Sequence, residues 1–151
     1  MSRGSRVLQI AVVLLGLLIL PGCGCGTPEK QKVVLPPRGA SPGQVVRTYF
    51  DAIAGQDMET ARALLVPQAD LHQELDDADS PFHSWVAATD LQLEGPDKDK
   101  DCKPGATCVS MHVSFDLCQC VFATQPGGLQ GESFGLQMID GRWLIYGHGE
   151  G

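Results

Sequence analysis

The spacing of the apolar residues changes near Pro81, and this change constrains the fold more than any other feature of the sequence. Between residues 41 and 67 apolar side chains recur every three or four positions, as on one face of a helix. From Trp85 onwards they alternate with polar ones, as in strands with one buried face. Helices followed by strands predict an α+β domain, with the helices packed on an antiparallel sheet.

The helical half carries its own start and stop signals. Ser41-Pro42-Gly43-Gln44 has the pattern of a capping box with proline at the first helical position. We expect this helix to end at Gly55, acting as a C-terminal stop. Asp57 is predicted to cap a second helix that ends at Pro67. Residues 69–76 suit a short third helix.

The second half predicts four strands joined in sequence order as a curved meander. Alternate residues of the first strand are expected on one side of the sheet: Trp85, Ala87, Thr89, Leu91 and Leu93. In the second strand the alternation runs from Val109 to Leu117, and a bulge beyond it would return Phe122 to the core side. Asp140-Gly141 predicts a two-residue type I′ turn between the last two strands.

Residues 1–22 have the layout of a secretory signal. Arg3 and Arg6 precede an apolar run from Val7 to Leu20. As a helix this run spans about 21 Å, which is shorter than the ~30 Å hydrocarbon core of a bilayer. The segment is therefore expected to act as a cleaved signal rather than as a membrane span.

Leu20-Pro21-Gly22-Cys23 closes this segment and resembles the lipobox of bacterial lipoproteins. The resemblance implies cleavage before Cys23 and a diacylglyceryl thioether on that residue, giving a stable lipid anchor. It implies a place in the cell envelope. In a Gram-negative host this is the periplasmic face of the outer membrane, because Gly24 is not the aspartate of an inner-membrane retention signal. The alternative is ordinary secretory cleavage, with Cys23 and Cys25 as disulfide partners.

Residues 23–40 are rich in glycine, proline and lysine and have no period, so they predict a lipidated, flexible tether before a domain at 41–151. Docking of the short apolar run 33–35 on the domain is the alternative. The net charge of −7 becomes more negative when the leader arginines are removed. Such a charge argues against a nucleic-acid partner. It also means that the acyl chains, rather than the acidic protein surface, are expected to hold the protein at the membrane.

Two segments, SPGQVVRTYFDAIAGQDMETARALLVP at 41–67 and MIDGRWLIY at 138–146, resemble the NTF2-like (cystatin-like) superfamily. The resemblance implies a cone-shaped α+β barrel. Its interior either admits a ligand or a partner's peptide at the open end or is filled by side chains. The aromatic residues expected to line or fill the cone are Tyr49, Phe50, Trp85, Phe115, Phe134 and Trp143.

No catalytic residue, metal site or cofactor is predicted. The isomerases of this superfamily pair a tyrosine with carboxylates, but no base aligns with Tyr49, which therefore suits the core. The histidines lack metal-ligand spacing, and residues 97–108 lack the glycine and glutamate of an EF-hand loop. We expect a binding or interaction module in the envelope, with an envelope protein or a second copy as partner. An isomerase or hydrolase is the alternative.

Export places the later cysteines in a compartment where disulfides persist. An extended strand over 108–117 puts Cys108 about 30 Å from Cys118, which excludes that bridge. Pro104-Gly105 reverses the chain, so the predicted disulfide is Cys102–Cys108. Cys118 and Cys120 either form a strained bridge, stay as thiols, or pair with Cys25 or a second molecule. A zinc site is the remaining alternative.

Overall fold

The structure, a computed structural model, describes residues 26–100, 102–119 and 127–150. Helices cover one face of an open, four-stranded antiparallel sheet with strand order β1-β2-β3-β4, so the predicted α+β class is confirmed. The elements are α1 (Pro42–Ala54), α2 (Met58–Ala63), α3 (Leu71–Asp76), a 3-10 turn (Pro81–Ser84), β1 (Trp85–Lys98), β2 (Cys108–Gln119), β3 (Gly128–Ile139) and β4 (Arg142–Glu150). Among the described helices, none has the length and apolar character needed to cross a bilayer.

The predicted capping box begins α1. The Ser41 hydroxyl accepts a hydrogen bond from the Gln44 amide at 3.2 Å, and the Gln44 side chain accepts one from the Ser41 amide at 2.9 Å. These bonds satisfy two of the amides that a helix start leaves without partners. Asp57 likewise caps α2 through the Thr60 amide at 3.2 Å.

The end of α1 differs from the prediction in its conformation. Gly55 has a φ of −80°, and the left-handed residue is Gln56 with a φ of 52°. The role of Gly55 is close approach, because a Cβ there would lie 3.0 Å from the carbonyl oxygens of Gln31 and Asp51. The helix therefore ends at Gly55, as predicted, but this glycine does not adopt the left-handed conformation that was expected of it.

Irregularities in β1 break its predicted alternation. Its pairing with β2 shifts between Trp85 and Ala87, and again between Thr89 and Gln92 around Asp90, which has a φ of 52°. Ala87 and Thr89 are therefore not the core-facing residues that simple alternation predicts. The β1 side chains that reach the core are those of Trp85, Ala88, Leu91 and Leu93. A bulge changes which face the following residues occupy.

The remaining strands follow the sequence pattern more closely. Met111, Val113, Phe115 and Leu117 of β2 are buried, with the intervening residues exposed. Asp140 and Gly141 have φ values of 49° and 75°, as a type I′ turn requires, so the predicted hairpin is confirmed. The bulge proposed to return Phe122 to the core lies outside the described residues.

The aromatic residues predicted from the sequence pack on one another between α1 and the sheet. The ring centroid of Phe50 lies 5.7 Å from that of Trp85, 4.7 Å from that of Phe115 and 5.6 Å from that of Phe134. Trp85 and Phe115 therefore both point at the helices, as predicted. These residues and Tyr49 are nearly inaccessible to solvent. Trp143 lies at the margin, half-buried beside a cavity of about 10 Å³. The sequence left open whether the interior of the domain admits a ligand or is filled by side chains, and this packing matches a filled interior.

Candidate functional site

Residues 31–40 lie against the domain rather than forming a free tether. The Gln31 amide donates to the Gly55 carbonyl at 2.8 Å, and the Gly39 amide donates to the Gly141 carbonyl at 3.1 Å. The Val33 side chain packs against the core, whereas Val34 next to it is 86% exposed. The predicted flexible tether of residues 23–40 is therefore wrong for its second half, and the docking alternative holds for Val33.

Asp57 is the residue that fastens this segment. Its buried carboxylate accepts hydrogen bonds from the Val33 amide at 2.9 Å, the Thr60 hydroxyl at 2.8 Å and the Lys32 ammonium at 3.3 Å. Burial raises the pKa of Asp57, but these bonds and the one from the Thr60 amide outweigh that effect and lower it to about 2. One ionised side chain thus caps α2 and holds the N-terminal segment.

The docked segment forms one wall of a groove of about 790 Å³, which we call the N-terminal groove. The rest of the lining comes from residues 86–88 of β1, from Asp51 and Ala54 of α1, and from Gly55 at its end. The residues of the N-terminal segment that line the groove are Gly26, Thr27, Glu29, Gln31, Lys32, Val33 and Val34. The volume is within the range of roughly 300–1,000 Å³ that is usual for ligand sites. The groove is therefore large enough for a partner of several residues.

A second polar feature surrounds His148 on β4. Its Nδ1 lies 3.3 Å from a carboxylate oxygen of Glu132 on β3, and its Nε2 lies 3.4 Å from one of Glu74 on α3. The ring stacks on Phe134 at a centroid distance of 5.9 Å. The hydrogen bond to Glu132 raises the pKa of His148; burial opposes this and the two negative charges add to it. Both ring nitrogens thus have acceptors when the imidazole is protonated.

Tyr49 brings a hydroxyl close to the same carboxylates. The residue is 2% exposed, and its hydroxyl has no hydrogen-bond partner within the described residues. Burial raises the pKa of this phenol, and the charges of Glu74 and Glu132 raise it further. An unpaired buried hydroxyl is costly. The two carboxylates that contact His148 therefore also act on a buried, neutral phenol.

The Glu132–His148 contact predicts a pH-dependent contribution to stability. Because folding raises the pKa of His148, its stabilisation is fully present below the unfolded value of about 6.5 and is lost as the pH rises through the folded value. The difference in unfolding free energy between the wild type and His148→Gln should therefore shrink above pH 6.5. NMR titration should place the imidazole midpoint above 6.5 and lower it in Glu132→Gln, but not in the exposed control Glu94→Gln. An unchanged midpoint in Glu132→Gln would contradict the assigned cause.

Cys102 and Cys108 form a disulfide with their Cα atoms 5.7 Å apart, consistent with the predicted pairing. The bridge closes the loop between β1 and β2. Cys118 is buried near the end of β2. Cys23, Cys25 and Cys120 lie outside the described residues, so the alternatives for the remaining cysteines stay predictions.

The other histidines stay apart from one another. Nε2 of His72 lies 3.0 Å from the Val66 carbonyl oxygen, and Nδ1 of His112 lies 2.7 Å from the Ser133 hydroxyl. Across residues 26–100, 102–119 and 127–150, no three His, Cys, Asp or Glu side chains are arranged to hold a metal ion. The cluster around His148 was not foreseen from the sequence, because Glu74 and His148 are 74 positions apart. Glu132 and His148 lie on paired strands but two register positions apart, since His148 pairs with Phe134, so the pairing itself does not mark the contact.

The comparisons with known proteins bear on the fold alone. No protein-family model matches the chain, and no curated protein matches it. Among solved structures it is similar to the solution structure of a SEC-C motif containing protein from Rhodopseudomonas palustris. The TM-score is 0.51 and the identity 16%, covering 76% of this chain and 82% of that one. At this identity the likeness supports the α+β architecture and carries no function.

Proposed function

We propose that this chain is an exported bacterial lipoprotein, anchored through Cys23, whose domain acts by binding a partner in the cell envelope. The observation that carries the binding role is the N-terminal groove of about 790 Å³, which lies outside the packed aromatic interior. Under this proposal only seven residues separate Cys23 from the first docked residue, Gln31. The extended chain between them reaches about 28 Å at most, so the groove stays close to the lipid surface.

We propose the NTF2-like cone as the finer description of the fold. Three helices precede a meander of four antiparallel strands. The register shifts in β1, at Trp85/Ala87, Thr89/Gln92 and Glu94/Asp97, supply the bends that curve such a sheet. The sequence segments at 41–67 and 138–146 support the same assignment.

The proposed location is the outer membrane, at its periplasmic face, if the host is Gram-negative. The acidic body of the protein does not favour anionic headgroups, so the acyl chains of Cys23 provide the attachment. The partner is proposed to be an envelope protein, with a second copy of the chain as the alternative.

Substitution of Cys23 tests the anchor. In a bacterial host, Cys23→Ala should abolish palmitate labelling and either release the domain from membranes or leave the precursor uncleaved. Cys25→Ala is the matched control, because it removes the next cysteine and leaves the lipobox intact; it should label and fractionate like the wild type. Normal labelling and membrane fractionation of Cys23→Ala would refute the anchor.

An enzyme remains the second candidate because of one observation: Glu74 and Glu132 contact the His148 imidazole and also raise the pKa of the buried Tyr49 phenol. A neutral phenol and an imidazole whose pKa is raised by its carboxylate contacts suit the acid–base steps of an isomerase or hydrolase. Tyr49→Phe distinguishes the two roles. It should leave partner binding unchanged if the domain is a binding module, and it should abolish turnover if the cluster is catalytic.

A further inference from the structure

We propose that the N-terminal groove binds an extended, lysine- or arginine-bearing peptide segment, which adds to the open edge of β1 as a fifth strand. This inference rests on the proposed binding function and names its partner. It depends on three properties of the groove: a free strand edge, room for side chains, and a surplus of negative charge.

The strand edge follows from the topology. β1 is the first strand of the sheet and pairs with β2 on one side only. Gln56 Nε2 donates to the Trp85 carbonyl at 3.2 Å and so closes the edge where the strand starts. Beyond that point, the described part of the chain makes no hydrogen bond to the outer edge of residues 86–88. An edge strand with free backbone groups is a template for strand addition.

The walls of the groove leave space for a peptide's side chains. Ala54 and Gly55 of α1, together with Ala87 and Ala88 of β1, are small and line the cavity of about 790 Å³. An added strand sends alternate side chains toward opposite faces of a sheet. One set would therefore enter the space between β1 and α1, and the other would face solvent.

The charge of the groove selects a cationic segment. Glu29 and Asp51 are exposed and line the groove. The lysine of the lining, Lys32, is directed at α2, with its ammonium 3.3 Å from Asp57 and 3.0 Å from Glu59. Arg47, one turn before Asp51, and Lys30, next to Glu29, offset part of this charge, but neither lines the groove. Lysine or arginine side chains on the peptide would complement the remaining carboxylates.

The same charges disfavour the other occupants. A second copy of this acidic chain, with a net charge of −7, would bring like charge toward Glu29 and Asp51, and like-charge juxtaposition across an interface is unfavourable. Removal of the leader would leave only three residues ahead of Gly26, and a lipid on Cys23 would draw them to the membrane. An extended segment of another envelope protein is the occupant that fits.

Peptide binding to the full chain, purified in detergent, tests this proposal. The probes are a labelled ten-residue peptide of alternating valine and lysine and its valine–glutamate counterpart, compared by fluorescence anisotropy at 0.15 M salt. The lysine peptide should bind saturably, and the glutamate peptide at least about tenfold more weakly. N-methylation of alternate amides along one edge of the peptide should abolish binding, whereas methylation along the other edge should preserve it. Equal effects of the two methylation patterns would overturn strand addition.

Variants of the chain locate the site. Glu29→Lys combined with Asp51→Lys should weaken binding of the lysine peptide by about tenfold, since two attractive contacts are replaced by two repulsive ones. The control Asp70→Lys with Asp79→Lys changes the net charge equally, at exposed positions outside β1 and the groove. An equal loss in the control would overturn the site, as would concentration-dependent self-association that the peptide does not relieve. Palmitate labelling of every variant is measured alongside, so failure of the groove and failure of the anchor are distinguishable.

Discussion

Replacing Phe50 by alanine should destabilise the domain by about 3–5 kcal/mol, the usual cost of removing a buried aromatic side chain. Phe50 is 2% exposed, and its ring contacts those of Trp85, Phe115 and Phe134 from the centre of the cluster. A domain of this size has a total stability of about 5–15 kcal/mol. The variant should therefore melt on the order of 10–20 °C below the wild type.

Chemical denaturation of the two proteins measures this loss, with Thr48→Ala as the control. Thr48 lies on the same helix but is only half-buried and outside the core, and its hydroxyl donates to the Gln44 carbonyl. Its substitution should change the unfolding free energy by no more than about 0.5 kcal/mol. A loss below about 1 kcal/mol for Phe50→Ala would show that the aromatic residues line an open cavity rather than fill the core.

The second large effect is expected at Asp57. Asp57→Ala removes the acceptor of hydrogen bonds from Val33, Lys32 and Thr60 and leaves the Val33 and Thr60 donors without their partner. Hydrogen bonds to a charged group contribute about 1.5–3 kcal/mol, so we expect a loss of about 2–4 kcal/mol in unfolding free energy. Residues 31–35 should also detach, because the carboxylate is their main polar contact with α2.

Hydrogen exchange at the Val33 amide reports this detachment and should become faster in Asp57→Ala than global unfolding explains. Glu59→Gln is the control, because Glu59 is exposed and contacts Lys32 alone in the described part of the chain. Since folding lowers the pKa of Asp57 to about 2, its stabilisation is present above about pH 4 and is lost as the pH falls toward 2. Unchanged Val33 exchange in Asp57→Ala would contradict the fastening role.

The features that the sequence predicted well are those decided within a few residues. The capping box at Ser41 and the turn at Asp140-Gly141 depend on local backbone geometry, and the structure contains both. The alternation of β2 also holds, because its partner β3 stays in regular register. The face of β1 was not predicted, since its register with β2 shifts on either side of Asp90 and simple alternation does not include such shifts.

The candidate sites were harder to foresee for the same reason. Docking of Val33 requires Asp57, 24 positions later, and the cluster around His148 requires Glu74 from a short helix. Such contacts follow from the way the elements pack, and the spacing of residues within one segment does not encode them. Five of the six predicted aromatic residues are buried in the core, and Trp143 lies at its margin. Whether the rings line a cavity or fill it depends on the distances between them, which the sequence does not give.

Mass spectrometry of the mature N-terminus tests the central claim most directly. The protein is extracted with detergent from the membranes of an expressing bacterium and digested, and its N-terminal peptide is sequenced. The proposal predicts a peptide that begins at Cys23 and carries a diacylglyceryl group on the sulfur. A mature chain whose Cys23 is unmodified, whose lipid is on Cys25, or whose leader is still attached would contradict it.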